Sequence, residues 1–327
     1  MPGDLTWQCS DAISTTLHID DDEVHYGEPK ITTASELESL LEKGELLATE
    51  VLGSNPFEGD ATGKELKVKS LLGPLTPRDV PIVRCIGLNY IKHSKSTGYS
   101  ICQEGLLKES AKLITMLLFS TRRRPETTAI PVRLYQAVCI HSRLRRRYSH
   151  TQGGGAGRRP GGLRGELCTV IGQASKEIPK EQALDHIAGY AAGNDVSSRR
   201  WQRDPAYAGG VPQWCFSKGF YKWCPMGPMC WFLPRSWASA DKLAQRTWVN
   251  GELRQDSDTS DLLFGVKEIV AFVSQGTTLE RGTVILTGTP AGVAMGMKEP
   301  KYLEDRDVVE VEIEELGKLR NKMTFQA

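Results

Sequence analysis

Two carboxylates are the first candidates for chemistry. Glu166 lies in GELCTVIGQ (165–173) and Asp195 in GYAAGNDVSSRRWQ (189–202), each beside an apolar run that reads as a strand. Neighbouring strands would bring the two side chains to one point, and two carboxylate groups held that way suit a hard cation of the magnesium kind. An isolated Glu and Asp are ordinarily solvated surface charges, so the elements around them decide what the pair means.

Those elements are mostly strands. PIVRCIGLNY (81–90) reads as a buried strand entering a turn, LCTVIG (167–172) as a second strand, and 183–188 as a short helix before GYAAGNDVSSR. Asn250-Gly251 between RTWV and ELRQ favours a type I′ hairpin, because both positions adopt positive φ readily. Leu262, Val266, Ile269, Val270 and Val273 mark one helical face ended by Gly276, and 282–286 is a strand feeding the turn TGTPAGV. Val309, Val311 and Ile313 alternate with glutamates, the pattern of a half-buried strand. Nearer the N-terminus, Thr33 with Glu36 forms a capping box before Leu37, Leu40 and Leu41, and Gly44 closes the helix.

Length and composition allow about two domains, or one large domain with an appendage. The longest apolar run, Ile114 to Phe119, is too short to cross a bilayer, and the start MPGDLTWQCSDAIS has neither a secretory nor a transit pattern. A cytoplasmic protein is expected, mitochondrial placement less so, with no membrane partner. The eight cysteines form no CxxC pair and read as reduced thiols. The formal charge of +1 hides one foreign block: 121–164 holds eleven Arg, no Lys and a single acid, Glu126. With no lysines, no binding motif and the tract GGGAGRRPGG, it is not read as a nucleic-acid arm.

GLNYIKH (87–93), GELCTVIG, GYAAGNDVSSRRWQ, QWCFSKGF (213–220), VNGELRQ, TGTPAGV (287–293) and DVVEVEIEELGKLRNKM, in this order, resemble the fumarylacetoacetate hydrolase family. The resemblance covers about 80–98 and 165–327. It implies a β-rich α+β fold, a mixed β-sheet roll with few helices, comprising a catalytic domain over 79–327 and a small accessory region over 1–78. It further implies Mg2+, with Mn2+ or Ca2+ as substitutes, held by Glu166 and Asp195; a small 2-oxo acid as substrate; and a homodimer. His93 holds the histidine position of the family word NYxxHxxE, where it activates water. Arg199, Gln202 and Lys218 fall near the substrate, and Gly288 and Thr289 in the TGTP turn offer donors to its carboxylate. Trp201 and Trp214 are read as core or wall.

Three departures matter. Ser96 stands where the family has the acid that orients the histidine, Arg164 where it has a metal-binding carboxylate, and Tyr221 where many relatives carry Asp. Read one nucleotide later, Gly162-Leu163-Arg164 permits Asp-Tyr-Glu, and Leu134 to Ala137 permits Phe-Thr-Lys-Pro, another family word. The span 99–164 is therefore expected to combine translated intron and a frame error, and 230–237 to lie out of frame as well. Restoring Glu at 164 alone is not expected to rescue activity.

The function expected is Mg2+-dependent hydrolysis of carbon–carbon bonds in 2,4-dioxo acids, in the manner of acylpyruvases, through a metal-stabilised enolate. The alternatives are an oxaloacetate tautomerase or decarboxylase using the same site, or a chain left inactive by an incomplete metal site.

Overall fold

The computed structural model describes residues 15–18, 24–29, 40, 43–52, 60–67, 70–71, 75, 80–96, 119–122, 146–150, 161–220, 223–231 and 240–325. Strands β1 (Thr15–His18), β2 (Val24–Pro29), β3 (Leu47–Leu52), β4 (Asp60–Lys67) and β5 (Ser70–Leu71) form an antiparallel sheet in the order β4-β3-β2-β1-β5. The sequence signals only a helix in this region. Thr33, Glu36, Leu37 and Leu41 lie outside the described residues, but the expected C-terminal stop is present: Gly44 has φ 67° and the Glu45 N–H donates to the Leu40 carbonyl at 2.9 Å.

The remaining elements follow as β6 (Ile82–Cys85), α1 (Ile91–Ser96), β7 (Phe119–Arg122), β8 (Arg146–His150), β9 (Gly161–Gly162), β10 (Gly165–Ile171), β11 (Ile187–Asn194) and β12 (Ser197–Ser198). Next come α2 (Arg199–Arg203), α3 (Pro205–Ala208), β13 (Met226–Trp231), β14 (Ala244–Val249), β15 (Glu252–Asp258), α4 (Val266–Val273), β16 (Val284–Leu286), β17 (Val308–Ile313) and β18 (Gly317–Phe325). They build a six-stranded sheet, β13-β11-β10-β16-β6-β7, and a five-stranded sheet, β15-β14-β17-β18-β8. The result is the β-rich mixed architecture expected. Of the compositionally foreign span, β7 and β8 occupy one sheet edge each, β9 pairs with β12, and most of the rest lies outside the described residues.

The central strands β11, β10, β16 and β6 of the six-stranded sheet are largely buried on both faces, which explains why they read as continuous apolar runs. Leu167, Tyr190 and Ala192 join one core with Val309, Val311 and Ile313 of β17 and with Val266, Ile269, Val270 and Val273 of α4. Cys168, Val170 and Ala191 turn to a second core with Val83, Cys85 and Leu286. Because side chains alternate along a strand, Glu166 shares the face of Cys168 and Val170.

Two local expectations shift. The short helix expected over 183–188 is a 3-10 turn over Lys180–His186, and Ala188 belongs to β11, where the ladder to β10 has already begun. Leu262 precedes α4 instead of joining it, since Gly265 is the N-cap. The hairpin at 250–251 forms as expected, with φ 51° at Asn250 and 82° at Gly251 between paired Val249 and Glu252. No helix among the described residues is long and apolar enough to cross a membrane.

Candidate active site

Antiparallel pairing of β10 with β11 sets Gly165 opposite Asn194 and Glu166 opposite Gly193, so Asp195 emerges beside Glu166. Both carboxylates are 2% exposed. They border a pocket of roughly 540 Å³, part of it open to solvent, lined also by Cys85, His93, Arg164, Arg199, Arg203, Trp214, Lys218, Thr289 and Met295.

An uncharged frame holds one wall. Asn89, fully buried, donates from Nδ2 to the carbonyls of Thr287 (2.9 Å) and Phe264 (3.0 Å) and accepts the Phe264 N–H at 3.0 Å. It thereby ties the GLNY loop to the TGTP turn. Gln255 accepts the Gly165 N–H at 3.0 Å and donates to Thr289 Oγ1 at 2.8 Å and Pro290 O at 2.9 Å. Gln245 donates to the Gly165 carbonyl at 2.6 Å and accepts from the Tyr90 hydroxyl at 3.0 Å. Sequence reasoning passed over Asn89, Gln245 and Gln255; Asn89 and Gln255 stand inside the words GLNYIKH and VNGELRQ. At the rim, Leu88 sits at φ 57°, a left-handed conformation costly for a branched side chain, with its carbonyl held by Ser94 Oγ at 2.8 Å.

The other wall is charged. Lys218 forms an ion pair and hydrogen bond with Asp195 Oδ2. Arg164, 7% exposed, reaches the same oxygen from Nη1 at 3.9 Å and the Asp195 carbonyl at 3.4 Å. Glu166 Oε2 accepts the Gly288 N–H at 2.9 Å. Burial pushes the Glu166 carboxyl up to about 7, against the pull of Lys218, Arg164 and the Gly288 N–H. Burial, then Arg164, draws the Lys218 ammonium down to about 8. His93, on α1, is drawn down to about 3 by burial, then by Arg164 and Arg199.

The expected site residues thus fall in different positions. Glu166, Asp195, His93, Arg199, Lys218 and Thr289 line the pocket, with Trp214 as wall. Gly288 meets Glu166 through its backbone. Gln202 is fully buried and accepts from Arg199 Nη1, so it positions that guanidinium. The Thr289 hydroxyl, expected to face a substrate carboxylate, instead donates to the Gly165 carbonyl at 2.9 Å. Trp201, half-buried, packs on Phe216 with ring centroids 4.8 Å apart. Tyr221 lies outside the described residues.

Among the described residues no group of three or more His, Cys, Asp and Glu converges as a metal site. Glu166 and Asp195 stand as a pair, and Arg164 and Lys218 already neutralise them. A dication between these carboxylates would face two fixed cations in a poorly solvated space. The residues present do not fit a divalent ion.

A sequence model described as the fumarylacetoacetate (FAA) hydrolase C-terminal matches residues 83–324. The chain belongs to the fumarylacetoacetate hydrolase family. Oxaloacetate tautomerase YisK of Bacillus subtilis (strain 168) is 38% identical over 159 residues, 49% of this chain and 50% of the relative. The chain thus spans about half the length of that curated relative. Caffeoylpyruvate hydrolase of Neonothopanus nambi is 32% identical over 302 residues, 91% of this chain and 85% of that protein. Among solved structures, 2-hydroxyhepta-2,4-diene-1,7-dioate isomerase from Mycobacterium marinum superposes with a TM-score of 0.67 at 27% identity, covering 97% of this chain and 99% of that chain. Fumarylpyruvate hydrolase from Pseudomonas aeruginosa, in complex with Mn2+ and pyruvate, does so with a TM-score of 0.54 at 25% identity, over 76% and 91%. Family relatives of this chain are therefore hydrolases, isomerases and tautomerases.

Proposed function

We propose that the chain interconverts the enol and keto forms of a small 2-oxo dicarboxylate of the oxaloacetate kind. The observation that carries this reading is the surroundings of His93. Ser96 directs its Oγ to the His93 carbonyl at 2.9 Å, and Arg164 and Arg199 act on the imidazole in the same direction as its burial. An imidazole held down to about 3 is a weak base toward water, so the water activation a carbon–carbon hydrolase needs is poorly served.

Tautomerisation asks less. The enol hydroxyl gives up its proton to a base, the C=C electron pair takes a proton at carbon, and the carbonyl forms with no bond to water. Glu166, whose carboxyl burial raises to about 7, can exchange that proton at the pocket wall, Lys218 stays paired with Asp195, and Arg199 anchors a carboxylate of the substrate. Mg2+, or Mn2+ or Ca2+ in its place, is the ion the family resemblance implies. Turnover by this chain is expected to be slow.

The second reading, hydrolysis of an acylpyruvate, is favoured by similarity to caffeoylpyruvate hydrolase along 91% of this chain. The test follows ultraviolet decay of enol-oxaloacetate and loss of acetylpyruvate in parallel, with EDTA and with Mg2+. Faster enol decay with intact acetylpyruvate supports the proposal. Cleavage of acetylpyruvate without any effect on oxaloacetate refutes it, and silence in every arm identifies an inactive chain. We further propose an accessory role for 1–78, a homodimer, and an out-of-frame origin for 99–164 and 230–237, the last tested by sequencing the transcript.

A further inference from the structure

Four cations, Arg164, Arg199, Arg203 and Lys218, and two carboxylates, Glu166 and Asp195, line one pocket. By residue type the cations outnumber the carboxylates four to two, so the wall has a surplus of positive charge. Arg164 is no surface visitor. It is 7% exposed, its N–H donates to Asn194 Oδ1 at 3.1 Å, and its carbonyl accepts the Asp195 N–H at 2.8 Å. The backbone on both sides of this residue is therefore locked to the end of β11, and the guanidinium lies on the pocket wall beside Asp195.

A guanidinium differs from a dication in what it recruits. It presents a planar fork of donors matched to a carboxylate, whereas a dication requires several oxygens drawn around it. With Lys218 already on Asp195, the centre of the site is an assembled cation without an ion being added. We infer that in this chain Arg164 takes the part of the divalent ion, so that the pocket binds dicarboxylate anions without metal and prefers them to monocarboxylates. This inference rests on the proposed function for the identity of the site and adds the charge class of its ligand and its independence from metal.

The experiment uses the full chain with malonate as dianion and pyruvate as monoanion. Calorimetry in EDTA is expected to show malonate binding at least tenfold tighter than pyruvate, with less than a twofold change when Mg2+ or Mn2+ replaces EDTA. Mn2+ titration followed by electron paramagnetic resonance should show no bound ion. Arg164→Met should weaken malonate at least tenfold. Should that variant not fold, Arg164→Lys, which keeps charge and loses the fork, should weaken it severalfold.

Malonate binding that appears only with Mn2+, or equal binding by the Arg164 variants and the parent, overturns the inference. The enol-oxaloacetate assay on the same samples separates the two claims. Malonate binding in EDTA with no turnover preserves this inference and sinks the tautomerase reading, whereas turnover and malonate binding that both need Mn2+ do the reverse. Absence of both overturns both.

Discussion

The two walls of the pocket are built on different principles. The frame of Asn89, Gln245, Gln255, Gly288 and Thr289 behind one wall is uncharged, and its side chains bond to backbone groups and to neutral side chains. The wall of Arg164, Glu166, Asp195 and Lys218 is charged; Arg164 and Lys218 converge on Asp195, and Glu166 is held by the Gly288 N–H. A neutral frame of this sort fixes where the backbone runs. The charged wall fixes which ions enter. The shape of a family site can therefore persist while one residue at position 164 changes the ion chemistry it supports.

Breaking the charged wall should produce the largest effect. Asp195→Asn leaves Arg164 and Lys218 buried without the carboxylate they share, and removal of one partner from a buried pair costs about 3–5 kcal/mol. Urea unfolding measures this. A loss under about 1 kcal/mol would show that the two cations do not depend on Asp195. Adding Arg164→Met to Asp195→Asn should recover part of the loss, because the second substitution removes a stranded charge.

The neutral wall breaks by crowding. Gly288 has φ 108°, and a Cβ there would meet Asn89 Cβ at 3.0 Å and the Ile86 carbonyl at 3.3 Å. Both neighbours are part of the frame, so they have little room to yield. Gly288→Ala is expected to cost about 2–4 kcal/mol, strain and overpacking together, and to weaken malonate binding through the shifted N–H to Glu166. A stable variant with unchanged binding would mean the turn is not what sets the Glu166 geometry.

The strands of the catalytic sheets were legible because their runs carry the signature of burial on both faces, and the 250–251 hairpin because two positive φ values demand Asn-Gly. The pairing of Glu166 with Asp195 followed from the strands. The N-terminal sheet was not legible: its strands carry little alternation, and the capping box drew attention to a helix. The bond of the Thr289 hydroxyl to the Gly165 carbonyl was not legible, because that partner lies 124 residues away in sequence. Arg164 stood out as the wrong charge for a metal ligand, yet only the fold shows it inside the wall, since β9 and β10 form from backbone pairing that tolerates any side chain at that position.

A pH series sharpens the comparison from the charged side. Unfolded His93 titrates near 6.5 and folded His93 about 3, so between these values the unfolded state binds the extra proton and stability falls with acid. Glu166 works in the opposite direction: with its folded value raised from 4.5 to about 7, the folded state binds the extra proton in that window and stability falls as pH rises. The two slopes oppose each other between about 4.5 and 6.5. His93→Gln removes the first, so its stability relative to the parent should be about 2 kcal/mol higher at pH 5 than at pH 7.5. Melting curves across this range read the difference, and parallel curves for the two proteins would show that His93 is not held neutral.

The smallest effect isolates strain from crowding. Gly251 shares a positive φ, 82°, with Gly288, but a Cβ added there meets nothing within 4 Å. Gly251→Ala should therefore cost only the conformational penalty of a left-handed alanine, about 1 kcal/mol, and leave malonate binding intact, because the hairpin lies outside the residues that line the pocket. The excess cost of Gly288→Ala over Gly251→Ala then measures how rigidly Asn89 and Ile86 hold their places. If the two substitutions cost the same, the neutral wall is softer than its hydrogen bonds imply, and the division of labour between the walls fails at its uncharged side.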